Sequence, residues 1–587
     1  MLENLRTVMQ ERGLDGYIIT SADAHASEYT APYWKVREWF SGFTGSNGLV
    51  VITQEKAGLW TDARYFIQAA IELEGSGIDL YKMGEENVKN FEDFLAEEMP
   101  ENGRLGFDGR TLSAATFDKI KTALRSKKMT YAYKEDLVGK MWKDRPPMPK
   151  STAFIHEYSF TGLDSAAKLV LVREEMKKHE IDSYLVVALD DIAWLMNIRG
   201  RDIPHMPVVY AYMYITEKDA HVFINKEKIN HIKEHLTDFT IHDYDTLPAF
   251  LTKIKVRKNI LYNINKTNVL LAEILGTVSK SIKELDIIGS LKSIKNETEL
   301  GHIKNAYIRE SAVLVRFLVW LEKNIDKGLY ESDIVNILAK LRKNEENYLD
   351  DGFATIAAYG KNAASAHYNS GEKGVLIEKK GFLLVDTGGQ YLDGTTDTTR
   401  TIVVGELTDE MKRDFTLVLK GHINLTRAIY MADTSSNALD ILARMPMWSY
   451  GINFRHGTGH GIGYCLSVHE GPQGISTKPS TVKIVPGMLL SNEPAIYKEG
   501  KYGIRTENVM LAVERFTTED GKFYGFENLT FVPYDTKAID ISLLNTEELQ
   551  FINEYHTKTR EILKPFLTEE ENEWLRANTK SYVINEV

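Results

Sequence analysis

The chain has 587 residues, 43% of them hydrophobic and 26% charged. That is ordinary for a globular protein but too long for one core, so three or four domains are expected. A formal net charge of −12 leaves no basic surplus for neutralising phosphates, which excludes a general nucleic-acid binder. Cys465 is the single cysteine, so no intramolecular disulfide can form, and a reducing compartment is expected. No apolar run approaches the roughly 18 residues of a membrane span. The start Met1-Leu-Glu-Asn-Leu-Arg lacks the basic-then-apolar pattern of a signal peptide, and a soluble intracellular protein follows.

In chain order, residues 2–12 read as an amphipathic helix, Gly13 as its stop and Tyr17-Ile-Ile as a buried strand. The pattern recurs later, with Val170 to His179 helical and Tyr184-Leu-Val-Val a strand. Asp15-Gly-Tyr17 and Asp182-Ser-Tyr184 align at an offset of 167 residues, which predicts two copies of one α/β domain. The seam falls near Pro146-Pro-Met-Pro149, where prolines break helix. The expected domains are residues 1–150, 151–289 and 290–587. The lysine-rich stretch Lys253 to Lys258 reads as a solvated face. In the third domain Asn296 is an N-cap with Glu299 three residues on. Leu300, Ile303, Tyr307, Leu314, Phe317 and Leu321 then form a core-facing helical stripe. From Phe353 onward strands alternate with helices in an α+β pattern, and the tail is helix-rich over Thr546 to Lys564 and Glu569 to Ala577.

The stretch from Gly381 to Val509 carries five residues that read as one metal site. Asp386 ends the apolar run Phe382-Leu-Leu-Val385, and Asp397 lies in Gly-Thr-Thr-Asp-Thr-Thr-Arg-Thr. His460 lies in His456-Gly-Thr-Gly-His-Gly-Ile-Gly463; Glu493 follows Leu489-Leu-Ser-Asn and Glu507 follows Gly503-Ile-Arg-Thr. Each carboxylate pair begins on a strand, crosses a glycine-containing turn (Gly388-Gly389, then Gly500 to Gly503) and ends on a second strand. Two such hairpins facing one another enclose a pair of divalent cations. Four clustered carboxylates repel and raise one another's pKa, and two divalent ions cancel that charge. One acidic residue at a strand end is more often a turn cap; five in this order weigh against that. Oxygen ligands with one imidazole and no thiolate suit Mn, Fe or Co, and Zn less exclusively. Cys465 reads as packing. The glycines at 457, 459, 461 and 463 read as letting backbone approach the metal site. There is no His-Glu-x-x-His, Gly-x-Ser-x-Gly or Walker-type loop.

With these motifs the chain resembles the pita-bread metallopeptidases, and within them the three-domain, cytosolic-type Xaa-Pro aminopeptidases. The likeness extends to Ser21-Ala-Asp-Ala-His-Ala-Ser-Glu-Tyr, Phe40-Ser-Gly-Phe-Thr-Gly-Ser, Trp60-Thr-Asp-Ala-Arg-Tyr-Phe and Asp191-Ile-Ala-Trp-Leu-Met-Asn-Ile-Arg-Gly. It implies two creatinase/prolidase-type N-terminal α/β domains followed by a C-terminal pita-bread catalytic domain. It further implies a cytoplasmic homodimer that takes peptides with proline second. Two divalent ions are implied, Mn²⁺ favoured over Co²⁺, Fe²⁺ or Zn²⁺, with Asp386 on one metal, His460 and Glu493 on the other, and Asp397 and Glu507 bridging. Two such ions hold one water between them and lower its pKa toward neutrality. Glu507 would take a proton from that water. The proline nitrogen has no N–H and needs a proton as the bond breaks; His367, His456 and His469 match family histidines around the substrate. By the same resemblance Arg64 lies near the substrate. Trp448 reads first as an ordinary core tryptophan, with lining of the proline pocket or the dimer contact as the alternative, and Arg505 would orient ligand carboxylates.

The nearest rival is a prolidase cutting Xaa-Pro dipeptides. A methionine aminopeptidase would leave the roughly 290 residues before the catalytic part unexplained. A peptide-binding relative without catalysis should lack metal ligands, and none is missing here; the same carboxylates argue against a metal-free hydrolase.

Overall fold

The structure, a computed structural model, describes residues 1–254, 258–283 and 285–584, so part of the Lys253 to Lys258 stretch lies outside the described residues. The chain divides into two compact units. The first comprises Met1–Glu157 and Leu163–Ile288; the second comprises Tyr158–Gly162 and the chain from Gly289 onward.

The first unit contains two six-stranded sheets of the same design. One runs Asp79–Lys82, Ala57–Thr61, Leu49–Thr53, Gly16–Thr20, Arg104–Phe107, Thr130–Ala132 from edge to edge. The other runs Thr240–His242, Ala220–Ile224, Ala211–Thr216, Ser183–Val186, Lys258–Leu261, Ser279–Lys283. In each, the earliest strand in the chain lies inside the sheet, antiparallel to one neighbour and parallel to the other. The expected repeat is therefore present strand for strand. Alternation fills both faces of the first sheet. Tyr17, Ile19, Val50, Ile52 and Leu59 pack on one side, and Ile18, Val51, Trp60, Leu105 and Phe107 on the other. The first helix, Leu2–Glu11, stops before Gly13, whose φ of +61° is the left-handed conformation glycine allows. The helix expected from Val170 begins earlier, at Ser165, because Asp164 caps it by accepting from Ala167 N.

The second unit repeats a simpler succession, two helices followed by a sheet. Helices Glu297–Asn324 and Glu331–Arg342 precede the three-stranded sheet Ile356–Tyr359, Phe382–Thr387, Thr398–Val403. Helices Asp409–Thr426 and Ser436–Trp448 precede the six-stranded sheet in which Gly459–Gly461, Leu489–Asn492 and Asn508–Thr518 are neighbours. The long helix starts where expected, at a reciprocal capping box of Asn296 and Glu299. Of its stripe, Ile303, Tyr307, Leu314, Phe317 and Leu321 are buried and Leu300 is half-buried. The tail forms helices Thr546–Leu563 and Glu569–Asn578.

Buried Arg400 ties the two sheets together. Its guanidinium donates to the carbonyls of Thr399 (2.9 Å), Glu507 (2.7 Å), Val532 (2.7 Å) and Pro533 (3.2 Å). It also reaches Asn508 Oδ1 (2.8 Å) and the Tyr555 hydroxyl (3.0 Å). Replacing Arg400 by methionine keeps the volume but strands these acceptors, which should destabilise the unit by about 3 kcal/mol or more. Urea unfolding checks this, and a loss under about 0.5 kcal/mol, the range of an ordinary surface substitution, would contradict it.

Candidate metal centre

The ligand candidates sit where strands end. Phe382–Thr387 is the central strand of its sheet, with Asp386 opposite Ile356 on one side and Thr399 on the other. Asp397 directly precedes the partner strand Thr398–Val403. In the six-stranded sheet Asn492 pairs with Asn508, so Glu493 and Glu507 leave the paired strands side by side. His460 is the middle residue of Gly459–Gly461, next to the strand that leads to Glu493. Two backbone bonds join these ends: Glu507 N to Thr399 O at 3.1 Å and Glu493 N to Thr458 O at 2.8 Å. The intervening segments are more than turns. Gly389–Tyr391 and Gly394–Thr395 pair in a separate small sheet, and Ala495–Lys498 pairs with Tyr502–Arg505. Each expected hairpin thus carries a second, smaller one at its tip.

These placements bring the ligand atoms together. Asp397, His460 and Glu507 offer atoms all within 4.8 Å of one another. His460 Nε2 lies 3.4 Å from Asp397 Oδ2 and 3.5 Å from Glu493 Oε1. His460 Nδ1 is 2.9 Å from the Gly461 carbonyl, to which it donates, leaving Nε2 as the ligand atom. The Ser491 hydroxyl bridges two ligand residues, accepting from the backbone N–H of His460 (2.9 Å) and donating to Glu493 Oε1 (3.3 Å). Asp386 Oδ2 accepts from Arg505 Nη2 at 2.5 Å, while its Oδ1 is buried with no hydrogen-bond partner.

The electrostatics match a site built for cations. Burial pushes the Asp386 carboxyl up to about 6; Arg505 opposes the rise, and the charges of Asp397 and Glu493 add to it. Burial and the neighbouring carboxylates hold Glu507 well above the usual carboxylate range. Burial alone would lower His460, but its hydrogen bond to Asp397 and the charge of Glu493 outweigh that and bring it up to about 9. An orphaned carboxylate oxygen, carboxyls that resist ionising together and an imidazole drawn toward a cation's role all fit divalent metal binding.

The other expected residues fall into three groups. His469 meets His460 edge to face, ring centroids 4.3 Å apart. His456 has both nitrogens engaged, Nδ1 with Gly457 O (2.7 Å) and Nε2 with the Tyr497 hydroxyl (2.9 Å), and burial lowers it to about 4. His367 is half-buried, and the carbonyl of Ala366 beside it lies 3.5 Å from Arg505 Nη1. Arg505 also donates to Tyr497 and Thr399, and Thr399 donates to Glu507 Oε2 at 2.6 Å. In the other unit, Arg64 forks onto Asp62 at 2.9 Å from both Nε and Nη2, with Glu28 at 3.4 Å. Trp448 is 44% exposed, which overturns the core reading, and its Nε1 donates to Asn453 Oδ1. A Cβ on Gly459 would meet Ser491 O at 1.9 Å, and one on Gly461 would meet Gln473 Nε2 at 2.2 Å and Glu470 O at 2.3 Å, so glycine at these two positions lets the neighbouring strands close around His460.

Sequence reasoning missed Thr399, Tyr497, Ser491 and Arg400. Two-residue alternation could have flagged Thr399, which follows Asp397 at that spacing, and Ser491, which precedes Glu493 by the same step. Tyr307, taken only as core, is buried beside the centre. Burial and then the charges of Asp397 and Glu507 raise its hydroxyl far above the usual value.

Comparison with known proteins agrees with this geometry. Residues 301–514 match the model of metallopeptidase family M24 and residues 522–582 its C-terminal region. Residues 1–134 and 144–299 each match a creatinase/prolidase N-terminal domain. The chain is 37% identical to Xaa-Pro aminopeptidase 1 of Dictyostelium discoideum over 99% of this chain and 96% of that one. It is 35% identical to aminopeptidase P2 of Arabidopsis thaliana over 99% and 88%. Its structure is similar to that of an X-prolyl aminopeptidase from Caenorhabditis elegans, described as a cytosolic enzyme with a di-nuclear active site. The TM-score is 0.93 at 34% identity, covering 97% of this chain and 95% of that one. A Xaa-Pro dipeptidase from Bacillus anthracis shares the fold over 63% of this chain and 99% of that one, at TM-score 0.51 and 22% identity.

With His460 raised to about 9, its imidazole carries an extra proton at neutral pH in the metal-free chain, and the upward shift of Glu507 favours its protonated form. Metal binding at Nε2 must expel the imidazole proton. Calorimetric titration with Mn²⁺ at neutral pH, in two buffers of different ionisation enthalpy, should show release of at least one proton. Affinity should rise with pH up to about 9. Proton-neutral binding would contradict the assignment.

Proposed function

The chain belongs to metallopeptidase family M24, among its three-domain Xaa-Pro aminopeptidases, and from that premise we propose that it releases the first residue of peptides carrying proline second. The observation that carries this is the convergence of Asp397, His460, Glu493 and Glu507 beside the orphaned Oδ1 of Asp386. Those five side chains would hold two divalent ions, which supply Lewis-acid charge and lower the pKa of a shared water. Mn²⁺ suits the oxygen-rich set, with Co²⁺, Fe²⁺ and Zn²⁺ as alternatives.

The chain's own residues then divide the work. Arg505 pins Asp386 through Oδ2 and leaves Oδ1 without a hydrogen-bond partner, so Oδ1 is the atom that would ligate. Thr399 occupies one oxygen of Glu507, and the ionised Glu507 takes the proton of the attacking water. His469, edge-on to His460, and His367 meet the substrate. One of them supplies the proton that the proline nitrogen lacks, and the other steadies the charge developing on the carbonyl oxygen. His456, neutral and engaged at both nitrogens, orients Tyr497 and through it Arg505.

The domains are placed at 1–150, 151–289 and 290–587, supported by the two complete sheets of the first unit. A single buried cysteine and the relative described as cytosolic support a cytoplasmic setting. The chain works as a homodimer through the helix Ser436–Trp448, whose Ile441, Met445 and Trp448 are exposed at helical spacing with Tyr450 beyond them. Trp448→Glu should shift the mass measured by light scattering from dimer to monomer; an unchanged mass would place the interface elsewhere.

Substrate length gives the test of activity. A dipeptide brings its own carboxylate against the ligand carboxylates, whereas a longer peptide has a neutral amide there. With Mn²⁺ present, kcat/KM for Arg-Pro-Pro should exceed that for Gly-Pro by about 10-fold or more, the scale of 1.4 kcal/mol of repulsion. Preference for the dipeptide would make the chain a prolidase, and equal cleavage of Ala-Ala-Ala would remove the proline requirement.

A further inference from the structure

Glu331 begins the helix Glu331–Arg342 and is fully buried. Its hydrogen bonds all go to one stretch of chain. Oε1 accepts from Tyr359 N at 2.7 Å and from Asn362 Nδ2 at 3.0 Å. Oε2 accepts from the Tyr368 hydroxyl at 2.8 Å and from Val375 N at 2.9 Å. These donors are neutral and lie before, within and after the loop that carries His367. Asn362 Nδ2 also donates to the Tyr368 hydroxyl at 2.9 Å, closing the set. The return leg is stitched to the same helix start, with Glu331 N to Val375 O and Ser332 N to Lys373 O both 3.2 Å. Gly374 fits because it has no side chain: a Cβ there would lie 2.4 Å from Glu331 Oε2.

A carboxylate without a cation is costly to bury unless every lone pair is used. Here the bonds register a loop about fifteen residues long, of a kind that is otherwise among the more mobile parts of a fold. The loop also abuts the metal centre. Ala363 O closes on Gly503, where a Cβ would lie 1.8 Å away, and Ala366 O faces Arg505. We propose that Glu331 is a positioning residue, a clamp that fixes the 360–375 loop so that His367 meets the substrate in one place. The proposal rests on the reading of His367 given above.

The test compares Glu331→Gln and Tyr368→Phe, each alone and combined with His367→Ala. Tyr368→Phe removes one hydroxyl and serves if Glu331→Gln does not fold. Each single change should lower kcat on Arg-Pro-Pro by about 10-fold or more, the scale of a small misplacement of a catalytic group. KM should move less than about two-fold and metal content should be unchanged, since the loop holds no proposed ligand. Trypsin should cut faster after exposed Lys361 and Lys373. In the His367→Ala background neither change should lower turnover further. Parental turnover and parental cleavage in both single variants, beside an impaired His367→Ala, overturn the clamp alone. Losses that multiply with His367→Ala also overturn it, because the effect then does not pass through the imidazole. Parental turnover in His367→Ala itself overturns the role of His367 and the positioning proposal with it, while faster trypsin cleavage would still show that Glu331 holds the loop.

Discussion

Mutual repulsion among Asp386, Asp397, Glu493 and Glu507 is the constraint that the second unit is built to withstand. Buried carboxylates at this spacing resist ionising together, and the raised Asp386 and Glu507 show the cost. The protein meets it with two arginines used differently. Arg505 bonds directly to Asp386 and neutralises part of the charge. Arg400 touches no ligand side chain. It grips the backbone at Thr399 and Glu507 and holds the strand ends together against the repulsion. What remains is charge that divalent cations cancel.

The repeated layout of the second unit explains why the ligands converge. A pair of helices followed by a sheet occurs twice, and each sheet delivers two carboxylates from the ends of adjacent antiparallel strands. Antiparallel pairing places such ends side by side, as Asn492 opposite Asn508 does for Glu493 and Glu507. Between them the strand Gly459–Gly461 brings His460, and its glycines allow the neighbouring backbones of Ser491 and Glu470 to close around the imidazole.

Two histidines four residues apart show how far environment governs chemistry. His456 and His460 are both half-buried, yet the first is pushed down to about 4 and the second up to about 9. His456 faces a carbonyl and a hydroxyl, and although Glu493 at 4.0 Å pulls it up, burial helped by the nearby arginines prevails. His460 faces Asp397 and Glu493, and their charge outweighs burial. One is suited to hold neighbours in place and the other to bind a cation.

The repeat in the first unit, the capped helix at Asn296, the strand character around Asp386 and the five candidate ligands were legible in the order of amino acids alone. All of these are written in local periodicity, capping or motif spacing. Tertiary structure decided what depends on partners distant in the chain: that Arg400 braces Glu507 through backbone, that Tyr497 links His456 to Arg505, and that Glu331 reaches Tyr368 and Val375. It also decided that Trp448 stands at the surface. Hydrogen bonds between residues tens to more than a hundred positions apart leave no period in a sequence. A buried polar side chain is therefore legible as functional only once the fold has chosen its neighbours.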